Sequence, residues 1–118
     1  MKYEPIERRS KQEVESAIAR NDPDELFHAV LSAALYSDDR DWSESICLRL
    51  SKHEQFNVRG NAILGFGHIA RIHGLLNENK VKPVIEAALS DPSHYVRGQA
   101  AAAAADVEFI LKWEINRS

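Results

Sequence analysis

The chain carries one short phrase twice. Asn57-Val58-Arg59-Gly60 opens a stretch that runs to Gly74, and Tyr95-Val96-Arg97-Gly98 opens a second that runs to Val107. Aligned on Val-Arg-Gly, the two continue without a gap: Val58, Ala62, Gly65 and Ile69 fall on Val96, Ala100, Ala103 and Val107. Steps of three and four residues mark one face of a helix. Small residues on that face, Gly65 among them, let a second helix approach closely. The copies begin 38 residues apart, a period typical of helical repeats rather than of a catalytic signature. The chain is thereby restricted to stacked helices.

The remaining segments read the same way. Ser10-Lys11-Gln12-Glu13 has capping-box spacing and predicts a short helix to about Arg20, with Val14, Ala17 and Ile18 inward. Asp22-Pro23 caps and starts a second helix, whose apolar stripe is Leu26, Phe27, Val30, Leu31, Ala34 and Leu35. Asp41 is a candidate cap for a third, with Trp42, Ile46 and Leu50 on its inner face. Asn57 is the expected cap of the fourth. That helix holds Gly60, Gly65 and Gly67, each costing about 1 kcal/mol relative to alanine. Tight helix packing is the expectation at Gly65, while at Gly60 and Gly67, on the opposite side, approach of a partner and simple tolerance both stay open. A fifth helix is expected from Asn79 or Lys80 with Pro83 in its first turn. The sixth runs from Ser93 through six consecutive alanines toward Trp113. The lead-in Met1–Arg9, with Tyr3, Pro5 and Ile6, is expected to lie across the first helix pair. No segment alternates with the period of a strand.

At 118 residues the chain suffices for one domain with its own core. Its net charge of −3 argues against a dedicated nucleic-acid binder, which presents a basic stripe. The single cysteine, Cys47, lies between Ile46 and Leu48 and is expected to be buried and inert. The first residues lack the apolar core of a secretory signal, and no run approaches the roughly 18 apolar residues of a membrane span. A cytoplasmic protein is the expectation.

Catalytic constellations are missing from the pattern. The histidines His28, His53, His68, His73 and His94 form no H-x-x-x-H pair, so no metal or other cofactor is expected. Cys47 has no adjacent base. Gly65-Phe66-Gly67 lies inside a helix and is not a phosphate loop. An enzyme is not expected.

Two sets of residues are candidates for contact with a partner. Between Arg20 and Glu44 the acids Asp22, Asp24, Glu25, Asp38, Asp39, Asp41 and Glu44 face only Arg20 and Arg40. Some of these serve helix starts. Asp38, Asp39, Asp41 and Glu44 gather beside Tyr36 and Trp42, and acid with aromatic anchors suits steering and a buried hot spot. The second set is His68, Arg71, Gln99 and Asp106, at outward positions of the fourth and sixth helices with Asn61.

Asp91-Pro92 followed by Val96-Arg97-Gly98-Gln99-Ala100-Ala101, and Asn57-Val58-Arg59 followed by Ala62 and Gly65, resemble the HEAT repeat. In that family helix A ends in an aspartate-containing turn, and helix B opens with valine-arginine and continues through alanine and glycine. The likeness covers helices three to six; in the first pair Leu26 and Val30 take the corresponding places without the arginine. It implies an all-α solenoid of about six helices in three antiparallel pairs, near residues 10–37, 41–74 and 79–114 of a single 1–118 domain. It also implies structural roles for Arg59 and Arg97, with Asp91 as the partner, and a groove lined by the B helices.

A small, acidic, free-standing HEAT-like chain is similar to immunity proteins of polymorphic and contact-dependent bacterial toxin systems. That resemblance implies a protein partner, a toxin domain such as a basic nuclease, covered by a free monomer that binds neither nucleic acid nor membrane. A scaffold that binds a peptide or protein is the alternative, and a DNA glycosylase-type protein a remote one. Self-association through the apolar end at Phe109–Ile115 also stays open.

Overall fold

Each of the six expected helices is present in the structure, a computed structural model that describes residues 5–117. They are α1 Lys11–Arg20, α2 Pro23–Tyr36, α3 Arg40–Leu50, α4 Phe56–His73, α5 Glu78–Ala88 and α6 His94–Leu111. Among the described residues there is no strand. Tyr3 lies outside the described residues.

The helix starts follow from local chemistry. The Ser10 hydroxyl accepts from the Glu13 amide at 3.1 Å while the Glu13 carboxylate accepts from the Ser10 amide at 2.9 Å, a complete capping box. Asp22 caps α2 and Ser93 caps α6. Three expected starts are displaced. Asp39, not Asp41, caps α3 by accepting from the Trp42 amide. Gln55 precedes α4 without a side-chain cap, and Asn57 sits inside its first turn. Asn77 caps α5, which leaves Pro83 in the middle of that helix rather than in its first turn. Asn79 and Pro83 are both exposed, so water can replace the bond that proline removes.

Helix α4 is the centre of the molecule. It packs against α2, α3 and α6; α1 lies on α2, α2 also meets α3, and α5 lies mainly on α6. Val58, Ile63, Phe66 and Ile69 of α4 are fully buried, with Val30 from α2, Ile46 from α3, Ile85 from α5 and Val107 from α6 among their companions in the core. Burying such a side chain stabilises by about 1.5–3 kcal/mol, which is what holds helices of this length in water.

The glycines of α4 set how near its neighbours come. A Cβ on Gly65 would stand 2.6 Å from Sγ of Cys47 and 3.2 Å from Cβ of Ala34. One on Gly60 would meet the Tyr95 ring at 2.7 Å, and one on Gly67 would strike the Asp106 carboxylate. All three are therefore filled from within the chain, on both sides of the helix. Asn61, expected to face outward, is buried: its amide donates to the Phe27 carbonyl at 3.1 Å and its oxygen accepts from the Tyr95 hydroxyl at 2.5 Å. One side chain thus ties α4 to α2 and α6.

After α6 the chain reverses at Lys112, which adopts a left-handed conformation (φ 61°). Trp113 is then buried against the core and the Asn116 amide donates to Glu86 of α5 at 2.7 Å. The apolar C-terminal stretch therefore divides: Trp113 caps the core, while Phe109 stays 77% exposed.

Candidate protein-binding surface

Tyr36, Asp38, Asp39, Asp41 and Trp42 surround the α2–α3 turn, but they are committed to different degrees. Asp39 caps α3 and pairs with Lys11 at 2.6 Å. The Lys11 ammonium, and then the Trp42 amide, hold its carboxyl below the usual carboxylate range. Asp41 pairs with Arg40 yet remains exposed, and Asp38 is exposed beside it. Glu44 is not part of the surface. It is 6% exposed, and one of its oxygens accepts both from Arg40 at 3.0 Å and from the Asn77 amide at 2.7 Å. It pins the first half of α3 to the start of α5.

The aromatic residues of this corner are partly occupied from within the chain, Tyr36 by the lead-in and Trp42 by α1. The Tyr36 hydroxyl donates to the Ile6 carbonyl at 3.0 Å, and the Arg8 guanidinium lies 5.3 Å from the centre of its ring. The Arg9 amide donates to Ser32 at 2.9 Å. Trp42, expected inside, is only half-buried; its indole N–H donates to Glu15 at 3.3 Å and Lys11 sits 5.6 Å from its ring centre. Cations over aromatic faces are attractive contacts. Sequence pattern did not single out Arg8 or Lys11, because neither lies near the corner along the chain.

The second candidate set meets along the seam between α4 and α6. Arg71 bonds the Asp106 carboxylate and also donates to Nδ1 of His68. A guanidinium has no acceptor, so that nitrogen of His68 must carry the lone pair. Burial, and then the nearby Arg71 charge, lowers the His68 pKa, with Asp106 opposing. Gln99 is half-buried on the same seam, its Cγ 3.5 Å from where a Gly60 Cβ would stand.

Arg59 holds the next turn. Its Nε and Nη2 donate to the two carboxylate oxygens of Asp91, each at 2.8 Å, and Nη1 donates to the carbonyls of His53 and Glu54. The Arg59 hydrogen bond lowers the Asp91 pKa most; burial opposes it, and the bond from the Ser93 amide adds a smaller lowering. Arg97 donates to the carbonyls of Asp91 and Pro92 at 2.8 and 3.1 Å. Cys47 is fully buried, and burial, with a smaller push from Glu44, raises its thiol to about 12. It is unreactive at neutral pH.

A further feature was invisible to residue spacing. Between the turn that follows α3, at Ser51 and Lys52, and α5 lies a cleft of about 280 Å³. Its walls are apolar, from Ile63, Pro83, Val84 and Ala87, and its rim carries Lys52 and the Arg59–Asp91 pair. Among the described residues, no three His, Cys, Asp or Glu side chains gather as a metal site would require, and no helix is long and apolar enough to cross a membrane.

These features define the class: an all-helical protein, with six helices among the described residues, whose buried and half-buried polar groups Asn61, Glu44 and Asp91 tie helices and turns together. No protein-family model matches the chain, and no curated protein does. Among solved structures it is similar to a chain in the crystal structure of the CDI complex from Cupriavidus taiwanensis LMG 19424. The TM-score is 0.81 at 23% identity, over 93% of this chain and 97% of that one. What the two share is the fold.

Proposed function

We propose that this chain is an immunity protein of a contact-dependent inhibition system, which binds the toxin domain of that system and neutralises it by covering its active surface. The observation that carries the proposal is the fold shared, over nearly the full length of both chains, with a member of a CDI complex. Fold alone does not assign function, and the surface supplies the rest. The chain is acidic, with a net charge of −3, and Asp38 and Asp41 stand exposed beside Tyr36 and Trp42. A basic toxin, such as a nuclease, is the partner this charge would steer.

The HEAT-like solenoid is part of the same proposal. Helices α2, α4 and α6 neighbour one another in that order, and α1, α3 and α5 each lie on the helix that follows. Three stacked antiparallel pairs would produce these neighbours. On this reading the chain is a cytoplasmic monomer that acts by steric and electrostatic exclusion, without catalysis or a cofactor.

Tagged chain recovered from its native cell at moderate salt tests the proposal. One toxin-like domain bound at equal stoichiometry is the expected result. Recovery of a housekeeping assembly would favour a HEAT-like scaffold instead, and recovery of nucleic acid would overturn the proposal.

A further inference from the structure

We infer that the cleft between the α3–α4 turn and α5 is the anchor pocket for the toxin: it receives one bulky apolar side chain, with a carboxylate beside that side chain meeting Lys52. The inference rests on the immunity proposal and names the part of the surface that carries the binding energy. Four observations support it.

One side of the cleft is fixed by the fold: Arg59, on its rim, grips Asp91 through two bonds of 2.8 Å. A pocket with a fixed rim loses little entropy when it is filled. Its size is selective: 280 Å³ lies just below the range of about 300–1,000 Å³ that small-molecule sites occupy, and suits a single side chain. Apolar pockets of this kind are where interface hot spots insert.

Charge decides what stands next to the anchor. Arg59 and Asp91 neutralise one another across the rim. Lys52 is exposed and makes no ion pair among the described residues, so the rim keeps one positive charge in an otherwise acidic chain. A carboxylate on the partner complements it.

The cleft also continues the acidic corner. Asp41 and Ser45 are exposed on α3, and Lys52 is exposed two residues past its end, at spacings that keep the helical period. Trp42 and Arg49 reach Glu15 of α1 on one flank and Glu44 reaches the Asn77 amide on the other. From one end of α3 to the other is about 16 Å at 1.5 Å per residue. A standard interface, at about 800 Å² per partner, covers both ends. The partner therefore lies along α3, steered by Asp38 and Asp41 and anchored beside Lys52.

The test uses the toxin domain that co-purifies with the full chain, titrated by calorimetry against wild type, Ala87→Trp and Lys52→Glu. Ala87 is an exposed wall residue, and tryptophan there plugs the cleft. We expect Ala87→Trp to weaken binding at least about tenfold, and Lys52→Glu about threefold to tenfold. A thermal melt checks that each variant is folded; if Ala87→Trp melts early, Lys52→Glu decides alone. Wild-type affinity in both variants overturns the anchor pocket and leaves the immunity proposal standing. Failure of the wild-type chain to bind any toxin overturns both.

Discussion

Helices α4 and α6 have the same length and open with the same Val-Arg-Gly phrase, yet one is walled in and the other is half open. Gly60 lies under the Tyr95 ring, whereas Gly98, its counterpart, has nothing within 4 Å of where a Cβ would stand. Arg59 reaches across to the carboxylate of Asp91, in the turn that precedes α6; Arg97 finds only the carbonyls of its own turn. The residues are alike because each helix is made alike. The energies differ because Tyr95 and Asp91 stand against the start of α4, and among the described residues nothing stands in the corresponding places beside α6. What packs against each helix, rather than the motif, sets what a residue contributes.

Substitutions along the two helices can break this contrast. The largest effect is expected at Gly65, the α4 glycine closest to Cys47. Gly65→Val forces a side chain where a Cβ alone stands 2.6 Å from Sγ, and urea denaturation should record a loss of about 3 kcal/mol. A loss below about 1 kcal/mol would mean that α3 moves away freely.

Next come the two arginines. Arg59→Ala removes a bidentate, mostly buried pair and should cost about 2 kcal/mol, whereas Arg97→Ala, whose side chain is exposed, should cost under about 1 kcal/mol. The same pair predicts acid sensitivity. The Asp91 pKa is lowered below its ordinary 3.8 by Arg59. Its contribution is therefore full above that value and disappears as pH falls through the lower folded-state pKa. Stability curves between pH 5 and pH 2 should fall more steeply for wild type than for Asp91→Asn. Parallel curves would show that the ion pair carries no net stability.

The glycine pair sharpens the contrast through opposite signs. Gly60→Ala pushes against a ring that cannot swing aside, because the Tyr95 hydroxyl is bonded to Asn61. It should lose about 1–2 kcal/mol. Gly98→Ala should gain about 0.5–1 kcal/mol, since alanine restricts the unfolded chain and meets nothing in the folded one. Equal signs at the two sites would contradict the packing contrast between the helices. At the α2–α3 corner the contrast is between committed Asp39 and open Asp38 and Asp41. Replacing the open pair with lysine should slow association with the toxin about threefold to tenfold at low salt, and less at high salt, as stopped-flow mixing would record.

Much of the fold was legible in the sequence, because helical spacing reports directly on which side of a helix is dry. What was not legible depended on contacts far along the chain. Asp38, Asp39 and Asp41 are each chemically able to cap α3; Lys11, 28 residues from Asp39, is bonded to one of them. Glu44 looked like surface because a carboxylate is almost never buried without partners, and one of its partners, the Asn77 amide, is 33 residues away. The glycines of α4 announced a close approach without saying whose. The cleft between the α3–α4 turn and α5 left no trace in the pattern, because a gap between elements is a property of their packing and not of any one period.

The most direct test of the proposed function is growth. The co-purified toxin domain is expressed under an inducible promoter in cells with and without this chain, and colony-forming units are counted after induction. Survival restored by the chain, and lost with Ala87→Trp at equal protein level, is the expected outcome. Equal killing with and without the wild-type chain would contradict an immunity function outright.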